Sequence, residues 1–573
     1  MFAALIAAPA LQDPARWALG HPEADTYNHL WGYWHVSARL RAGEAPWLVP
    51  GLSWPTGGSL YFIDLFGALV TLPVGLLFGP VVAYNSSLLL NLTLAGAGAW
   101  LLARRLGYVP AAAAFAALAY ASTPQLLAQL YNGISETTAV GWLPLSLAAL
   151  LAWRESPSPQ RGLAAGLSFG CAIFASFYVG LFSLMAGGAL ILSWTADRPR
   201  YWARPGVWRS GALALGGLLL VAAPPLLAFR ASLRGADALV TREEGSVSLA
   251  LIGHNMTDLL SFFRVGRVYS PDLRALFDEA LIVVVYAGWT LLAAAGAALL
   301  AERRRAGRGV PVWPWAAGGL ICSVLTLGPY LYVGGAYATL PGGDLVPLPF
   351  LALFEAFPGF SRISHAYRFA TPLGLCLAML AAAWVHGRRR PGLSAALLAT
   401  AWLAELVWLS PAPLPLPVSD AGPSDWAAAR GGPEIAAPPD GAEAVLDLPI
   451  SLPVLARSRY AWDAAHHGLA IPYGLNDPSP DALLENRLGL ALMNLERSSL
   501  DTLAPELPTL DLVVGARALA AEGLSTIVVH RALYPPALRD RVLTLLEIAV
   551  GPGEVVGADT VFRLSCPRQR SEG

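Results

Sequence analysis

The stretch HPEADTYNHLWGYWH, residues 21–35, stands out because nearly everything that follows it in the chain is hydrophobic. Eleven of its fifteen residues are acidic, imidazole, aromatic, amide or hydroxyl types. Tryptophan and tyrosine are typical of a membrane–water boundary, where the ring body lies in lipid and the polar edge in water. The stretch therefore predicts a polar site at a membrane surface, with Asp25 as its candidate catalytic carboxylate.

The composition places the whole chain among polytopic membrane proteins. Its 573 residues are 55% hydrophobic and 13% charged, with a mean hydropathy of +0.52. A soluble protein of this length carries about a quarter charged residues. All 38 basic residues are arginine, which excludes a Schiff-base lysine and a phosphate-loop lysine. No basic stripe is present, so a nucleic-acid partner is not expected.

Apolar runs predict about 10–12 membrane-spanning helices, since a span takes about 20 residues. A run at 2–10 is too short to cross and is compatible with the tail of a first helix that begins upstream. The other runs lie near 61–79, 84–103, 109–128, 137–153, 162–177, 179–194, 210–229, 280–301, 312–332, 367–386 and 392–409.

Arginine clusters follow every second span when spans are counted from residue 84. Basic residues collect in cytoplasmic loops, so the loops at 129–136, 230–279 and 333–366 are expected outside. The run at 61–79 is rich in proline and glycine, and we expect it to be juxtamembrane or re-entrant. This assignment places Asp25 on the same outer face. The clusters are Arg104-Arg105, Arg154 with Arg161, Arg198 through Arg209, Arg303–Arg305 with Arg308, and Arg388–Arg390.

The composition of the sequence changes at residue 411, where four prolines at alternate positions mark the end of the membrane region. Short strand-like runs follow, with amphipathic helical stretches between and beside them, which is typical of a small α/β domain. We therefore predict a transmembrane domain over residues 1–410, whose outer loop 14–60 carries the candidate active site, and an extracytoplasmic α/β domain over 411–573. The strand-like runs are 444–449, 525–530 and 560–564, and the helical stretches are 481–495 and 536–548.

Two carboxylates are the candidate catalytic residues. Asp25 lies in the first outer loop, and Glu136 lies in the short outer loop that follows the span at 109–128. Two carboxylates that converge from different loops can hold a divalent cation such as Mg²⁺ or Mn²⁺, or divide general acid and base roles. The alternative is that each caps a helix start, where acidic side chains are favoured.

Arg362 and Arg368 bracket the start of the span at 367 and lie outside, against the trend of the other arginines. A guanidinium suits bidentate binding of a phosphate, and we expect these two residues to bind one. The alternative is that they anchor the helix at the interface by snorkelling. Tyr178, between two apolar runs, is expected to pack in the core, with substrate contact as the second interpretation.

Several short motifs resemble those of the GT-C superfamily, integral-membrane glycosyltransferases that use polyprenyl-phosphate sugars. The likeness is to large uncharacterised bacterial members and extends along most of the chain. Its motifs are Asp25 followed by His29-Leu-Trp31, the turn Trp54-Pro-Thr-Gly57, the element Ser364-His-Ala-Tyr-Arg368-Phe369, and Leu448-Pro449 and His467-Gly468 in the outer domain.

The resemblance implies a role for each candidate residue. Asp25 would be the general base that activates an acceptor hydroxyl, and Glu136 would assist it or help hold a metal ion. Arg362 and Arg368 would neutralise the lipid phosphate leaving group, with His29 and Tyr178 also in contact with substrate. The activity implied is hexosyl or pentosyl transfer to a glycan, lipid or protein acceptor at the outer face of a bacterial inner membrane.

Two other functions remain open at the level of sequence. A lipid or glycan transporter is expected to carry polar residues near the middle of its spans and to show repeat symmetry, and the sequence shows few of the former and none of the latter. The other is a non-catalytic assembly or scaffold protein with the same fold. Loss of activity when Asp25 is replaced would distinguish an enzyme from such a protein.

Overall fold

The structure is a computed structural model. It describes residues 2–197, 199–235, 237–239, 257–264, 280–305, 312–357, 365–410, 414–431, 443–475, 481–497 and 509–564, and the single positions Asn255, Val310, Phe360, Ile363 and Ala412. Arg362, one of the two predicted phosphate-binding arginines, lies outside the described residues.

Helices dominate the first 410 residues. The first half contains helices at Phe2–Ile6, Ala8–Leu11, Thr26–Arg41, Leu65–Val70, Leu72–Phe78, Pro80–Arg105, Pro110–Ala121, Pro124–Asn132, Trp142–Glu155, Pro159–Ala175, Phe177–Asp197 and Pro205–Ser232. The second half contains helices at Trp289–Arg305, Trp313–Thr326, Pro349–Ala356, Ala370–His386 and Pro391–Trp408. Single 3-10 turns lie at Ser135–Thr138, Pro199–Ala203, Leu259–Phe262 and Ala366–Phe369.

Within the described residues, six helical segments are long and apolar enough to cross a membrane: Pro80–Arg105, Pro110–Asn132, Phe177–Ala196, Gly206–Ser232, Ala366–His386 and Pro391–Trp408. Shorter helices of 14 to 17 residues occupy the predicted runs at 137–153, 162–177 and 312–332. The protein is therefore a polytopic α-helical membrane protein, as the composition predicts. The run at 61–79 forms two helices separated at Thr71, and neither is long enough to span.

The predicted span at 280–301 is partly wrong, because its helix begins only at Trp289. Residues before it are held in a non-helical path by Asn132, whose amide pairs with both backbone groups of Ile282 at 2.9 Å. The carboxylate of Glu405 accepts hydrogen bonds from the backbone nitrogens of Trp289 and Thr290, at 2.6 and 2.8 Å. These long-range partners fix the helix start, and hydropathy alone does not reveal them.

The C-terminal region contains a four-stranded sheet whose strands lie in the order Ala444–Leu448, Leu524–His530, Asp559–Arg563 and Glu554–Val556. The first pair is parallel and the other pairs are antiparallel. All three predicted strands are present, because each is a short run rich in β-branched and aliphatic residues. Helices in this region are Asp425–Arg430, Ser458–His467, Asp481–Leu484, Arg487–Arg497, Thr509–Ala521 and Pro536–Ala549, and a 3-10 turn lies at Arg531–Leu533.

Two small pairings complete the list of strands. Trp17–Leu19 pairs antiparallel with Val418–Asp420, which joins the N-terminal loop to the segment that leaves the membrane region. Tyr332–Val333 pairs antiparallel with Ala336–Tyr337.

The C-terminal region packs directly on the helix that follows Asp25. The guanidinium of Arg459 donates a hydrogen bond of 2.6 Å to the Tyr27 hydroxyl and lies over the Tyr27 ring, 4.9 Å from its centroid. Tyr27 in turn donates to the backbone oxygen of Asp420 at 2.8 Å. The helix Ser458–His467 thus holds the first turn of the helix Thr26–Arg41 in place, two residues beyond the candidate base.

Candidate active site

Asp25 lies at the N-cap position of the helix Thr26–Arg41, but its side chain does not cap that helix. Its Oδ1 accepts a hydrogen bond of 2.7 Å from the side-chain amide of Asn28. Its backbone nitrogen donates to the carbonyl of Asn132 at 3.0 Å, which ties the loop to the end of a membrane-spanning segment. The half-buried carboxylate therefore lies beside the end of the segment Pro110–Asn132.

A glycine makes this contact between loops feasible. Gly133 ends the preceding helix with a φ of +71°, and a Cβ built on it would lie 2.3 Å from Oγ1 of Thr26. Only glycine combines this backbone angle with such a close approach. The turn that leads to Glu136 is thereby held against the residue next to Asp25.

Glu136 is fully enclosed in the 3-10 turn Ser135–Thr138. Its Oε1 lies 3.9 Å from Nη1 of Arg368, and its Oε2 lies 3.5 Å from Nε2 of His29. Within the described part of the chain, Oε2 has no hydrogen-bond partner. A buried carboxyl oxygen without a donor is costly as an anion, so this geometry favours the neutral acid.

Arg368 is buried at the start of the segment Ala366–His386, with 8% of its surface exposed. Its guanidinium lies over the ring of Tyr178, 4.4 Å from the centroid. The Tyr178 hydroxyl is 3.5 Å from Nδ1 of His365. Nε of Arg368 has no hydrogen-bond partner among the described residues, so the cation keeps donor capacity for a ligand.

His29 is buried one turn into its helix, and its Nδ1 lies 2.8 Å from Oγ of Ser135. Burial, and then the charge of Arg368, lower the pKa of His29 well below its ordinary value. The imidazole is therefore neutral at physiological pH. The structure places it between Ser135 and Glu136, in contact with the predicted site.

Asp64 is a candidate site residue that the sequence alone does not single out. It is buried, and its carboxylate accepts hydrogen bonds from the backbone nitrogen of Gly67 at 3.0 Å, from the Tyr33 hydroxyl at 2.7 Å and from Ser135 Oγ. One sequence signal marks it, because it is an acidic residue inside the apolar run at 61–79. Ionisable residues in such runs generally mark functional sites.

The pKa values of Glu136 and Asp64 depend on burial and on neighbouring groups, among them Asp25. Burial raises the pKa of Glu136 to about 8, with Arg368 acting in the opposite direction and the charges of Asp64 and Asp25 raising it further. Burial also raises the pKa of Asp64, to about 6, although hydrogen bonds from Ser135, Tyr33 and Gly67 oppose the shift. At neutral pH the structure therefore favours an ionised Asp64 beside a protonated Glu136.

A metal centre is not formed by these side chains. Among the described residues, no group of three or more His, Cys, Asp or Glu side chains is arranged to hold a metal ion. The oxygens of Glu136 face Arg368 and His29, which do not compose a ligand set with it at 3.9 and 3.5 Å. The donor set does not fit a preformed Mg²⁺ or Mn²⁺ site on Asp25 and Glu136.

Comparison with solved structures identifies the fold. The chain is similar to arabinofuranosyltransferase AftD from Mycobacteria, with a TM-score of 0.53 and 17% identity, over 99% of this chain and 40% of that chain. It also aligns with the oligosaccharyltransferase of Archaeoglobus fulgidus (TM-score 0.45, 12% identity, 96% and 70% coverage). A third is ArnT from Cupriavidus metallidurans bound to undecaprenyl phosphate (TM-score 0.39, 14% identity, 99% and 98% coverage).

No protein-family model matches the sequence, and no curated protein matches it. The structural likeness concerns the fold, and the similarity to AftD extends over nearly the whole chain. The chain shares the fold of AftD, which agrees with the fold that the resemblance to the GT-C superfamily predicts. It spans 40% of the length of the AftD chain.

Proposed function

We propose that the protein is a membrane glycosyltransferase that moves a sugar from a polyprenyl-phosphate donor to an acceptor hydroxyl. The observation that carries this proposal is the buried cation Arg368 beside Glu136 and His29, on the fold of GT-C glycosyltransferases. A guanidinium at a membrane-helix end, whose Nε has no hydrogen-bond partner among the described residues, suits a lipid-linked phosphate. Polyprenyl phosphate fits this environment because its tail requires lipid and its head requires a cation.

The location of the site in the spans supports an outer-face reaction. Glu136 follows the end of the segment Pro110–Asn132, whose start lies just after Arg104-Arg105. Arg368 begins the segment Ala366–His386, whose far end is followed by Arg388–Arg390. Both site residues are thus at the helix ends opposite the arginine clusters. Because those clusters mark the cytoplasmic side, the site faces outward.

The chemistry divides between two groups. Asp25, half-buried beside the end of the segment Pro110–Asn132, takes the proton of the acceptor hydroxyl as that oxygen bonds to the anomeric carbon. The bond between the anomeric carbon and the phosphate oxygen breaks, and its electron pair stays on the phosphate. Arg368 compensates the charge that develops on the departing phosphate. The products are a glycosylated acceptor and polyprenyl phosphate.

The acceptor side is assigned to the C-terminal region. Its helix Ser458–His467 contacts the Asp25 helix through Arg459 and Tyr27, so it covers the same end of the bundle. A glycan, a lipid or a protein acceptor fits this arrangement, and either a hexose or a pentose can be the sugar transferred. The proposed location is the bacterial inner membrane.

The test measures polyprenyl phosphate released in membranes that carry the wild-type chain, with a sugar-labelled lipid pool as donor. Asp25→Asn removes the base and is expected to lower release by about 10²–10⁴-fold, and Arg368→Ala by about 10²–10³-fold. Glu23→Gln is the matched control, because Glu23 is an exposed carboxylate two residues from Asp25. It is expected to retain release.

Protein level in the membrane is measured for each variant. Equal release from wild type and Asp25→Asn would reject Asp25 as the base. Absence of release from every hexosyl and pentosyl donor would favour a non-catalytic assembly protein of the same fold. The sequence-based expectation of Mg²⁺ or Mn²⁺ is examined in the same assay by EDTA treatment and metal add-back, and no step above depends on it.

A further inference from the structure

We infer that Asp64, Ser135 and His29 form a hydrogen-bonded chain that holds Glu136 in its neutral form, so that Arg368 keeps its full charge for an anionic phosphate group. In this arrangement Asp64, Ser135 and His29 are positioning residues that act through Glu136. The inference deepens the proposed function and depends on it for the identity of the phosphate ligand. The hydrogen-bonded chain itself rests on the contacts of Ser135 with Asp64 and His29, which need no ligand.

The chain begins at Asp64, which is an acceptor. Three donors point at its carboxylate: the Gly67 backbone nitrogen at 3.0 Å, the Tyr33 hydroxyl at 2.7 Å and the Ser135 hydroxyl. Hydrogen bonds donated to a carboxylate stabilise its ionised form. Asp64 is therefore the anionic end of the chain.

Ser135 transmits this polarity to His29. A serine hydroxyl has one hydrogen, and Ser135 gives it to Asp64. Its oxygen can then only accept from Nδ1 of His29, which lies 2.8 Å away. A neutral imidazole carries one hydrogen, so His29 has it on Nδ1 and a lone pair on Nε2.

The lone pair on Nε2 of His29 points toward Oε2 of Glu136, 3.5 Å away. If Glu136 were ionised, two lone pairs would face each other in a buried site, and Oε2 has no other hydrogen-bond partner among the described residues. A proton on Oε2 turns the same contact into a donor–acceptor pair. The order of donors along the chain therefore selects the protonated form of Glu136.

The charged groups around Glu136 act in both directions, and the balance favours the neutral acid. Arg368, at 3.9 Å, is the cation that favours the ionised form. Burial has the larger effect and raises the pKa of Glu136, and the nearby charges of Asp64 and Asp25 raise it further. His29 is neutral and adds no charge. The balance at neutral pH leaves one protonated carboxyl beside one uncompensated guanidinium.

A consequence for binding follows from the sign of this charge. With Glu136 neutral and its proton donated to His29, Arg368 presents its positive charge to a phosphate without an anionic neighbour at Glu136. As pH rises through the pKa of Glu136, about 8, the carboxylate neutralises Arg368 and repels the phosphate. Phosphate affinity should therefore fall at alkaline pH in the wild type.

The first experiment reads the tautomer of His29 without any ligand. The purified full chain, labelled with ¹⁵N-histidine, is examined by NMR, and the His29 signals are assigned by their loss in His29→Gln. We expect hydrogen on Nδ1 in the wild type. In Asp64→Asn the amide nitrogen can donate to Ser135, which reverses the chain, and hydrogen on Nε2 is expected. Hydrogen on Nε2 in the wild type would overturn the inference.

The second experiment measures binding of decaprenyl phosphate to the full chain in nanodiscs across pH. Asp64→Asn and Ser135→Ala should each weaken binding at neutral pH by at least about tenfold, and should move the alkaline loss of affinity to lower pH. Ser135→Thr keeps the hydroxyl and should restore the wild-type profile. A merely structural role would not move the pH profile or be rescued by threonine.

The outcomes separate the inference from the proposed function. Wild-type protein with the Nδ1 tautomer but no affinity for decaprenyl phosphate would reject the proposed lipid-phosphate substrate and support the hydrogen-bonded chain of Asp64, Ser135 and His29. If the wild type binds decaprenyl phosphate and Asp64→Asn and Ser135→Ala leave that affinity unchanged at every pH, the lipid-phosphate substrate is supported. The same result would overturn the role of the hydrogen-bonded chain.

Discussion

Two buried histidines, one in each part of the molecule, are placed next to carboxyl groups with opposite consequences. In the C-terminal sheet, His530 donates from Nδ1 to Asp559 at 2.9 Å and from Nε2 to Asp447 at 3.0 Å. Beside the membrane region, His29 lies between a serine hydroxyl and Glu136, with Arg368 close by. His530 is therefore a cation bonded to two carboxylates, whereas His29 is a neutral imidazole between Ser135 and Glu136.

The pKa shifts express this difference. Although burial alone lowers the pKa of His530, its hydrogen bonds to Asp447 and Asp559, together with the charges of Asp447 and Asp463, raise the pKa to about 10. No carboxylate offsets burial at His29, and Arg368 lowers its pKa further. A histidine with both nitrogens engaged by carboxylates holds a fold together. His29, with Arg368 and Glu136 beside it, stays neutral and is proposed to position the site.

The largest expected effect is the contrast between His530→Gln and His29→Gln. Removing the cation leaves Asp447 and Asp559 as buried charges without their partner, which typically costs about 3–5 kcal/mol. We expect His530→Gln to unfold the C-terminal region, seen as rapid proteolysis there and a lowered unfolding temperature. His29→Gln should keep the fold and lower polyprenyl phosphate release by about tenfold or more, because it breaks the buried hydrogen bond to Ser135.

Glu547→Gln is the control for this pair, because Glu547 is an exposed acid on the helix Pro536–Ala549. It should behave as the wild type in both assays. A folded, protease-resistant His530→Gln protein would remove the distinction between the two histidines, as would a His29→Gln protein with full release.

A smaller effect concerns the pH dependence of unfolding. The folded-state pKa of His530 is about 10, above its unfolded value of about 6.5. Its contribution to stability is therefore fully present below pH 6.5 and is lost as pH rises through 10. Thermal unfolding of the C-terminal region followed from pH 6 to 10.5 should show this loss, and Asp559→Asn should reduce it. A flat profile would contradict the charged state of His530.

Much of the fold follows from sequence because it depends on local signals. Apolar runs located helices, arginine placement marked their ends, and runs such as Ser525–His530 located strands. The helix start at Trp289 was missed because its determinants, Asn132 and Glu405, are more than 100 residues away. No local pattern contains that information.

The site divides in the same way. Asp25 is predicted from the polar stretch 21–35, and Glu136 from its position in a short loop between apolar runs. The structure brings their loops together, since the backbone nitrogen of Asp25 donates to the carbonyl of Asn132. Asp64 lies in the proline- and glycine-rich run at 61–79, which the sequence predicts to be juxtamembrane or re-entrant, and this local pattern does not show which residues Asp64 contacts. The contacts from Ser135 to Asp64 and to His29 join residues 71 and 106 positions apart, and only the fold shows them.

The smallest expected effect tests whether Tyr178 supports Arg368 by its ring or by its hydroxyl. The ring centroid is 4.4 Å from the guanidinium carbon, within the range in which a cation–π contact contributes about 0.5–2 kcal/mol. Tyr178→Leu should therefore raise the KM for the lipid donor by about two- to thirtyfold, with kcat nearly unchanged. Tyr178→Phe keeps the ring and loses the 3.5 Å contact with His365, so it should resemble the wild type.

If phenylalanine is as harmful as leucine, the hydroxyl and His365 are what hold the arginine, and Arg368 is fixed by hydrogen bonds, as His530 is. If leucine has no effect on KM, Arg368 is not the group that binds the donor phosphate.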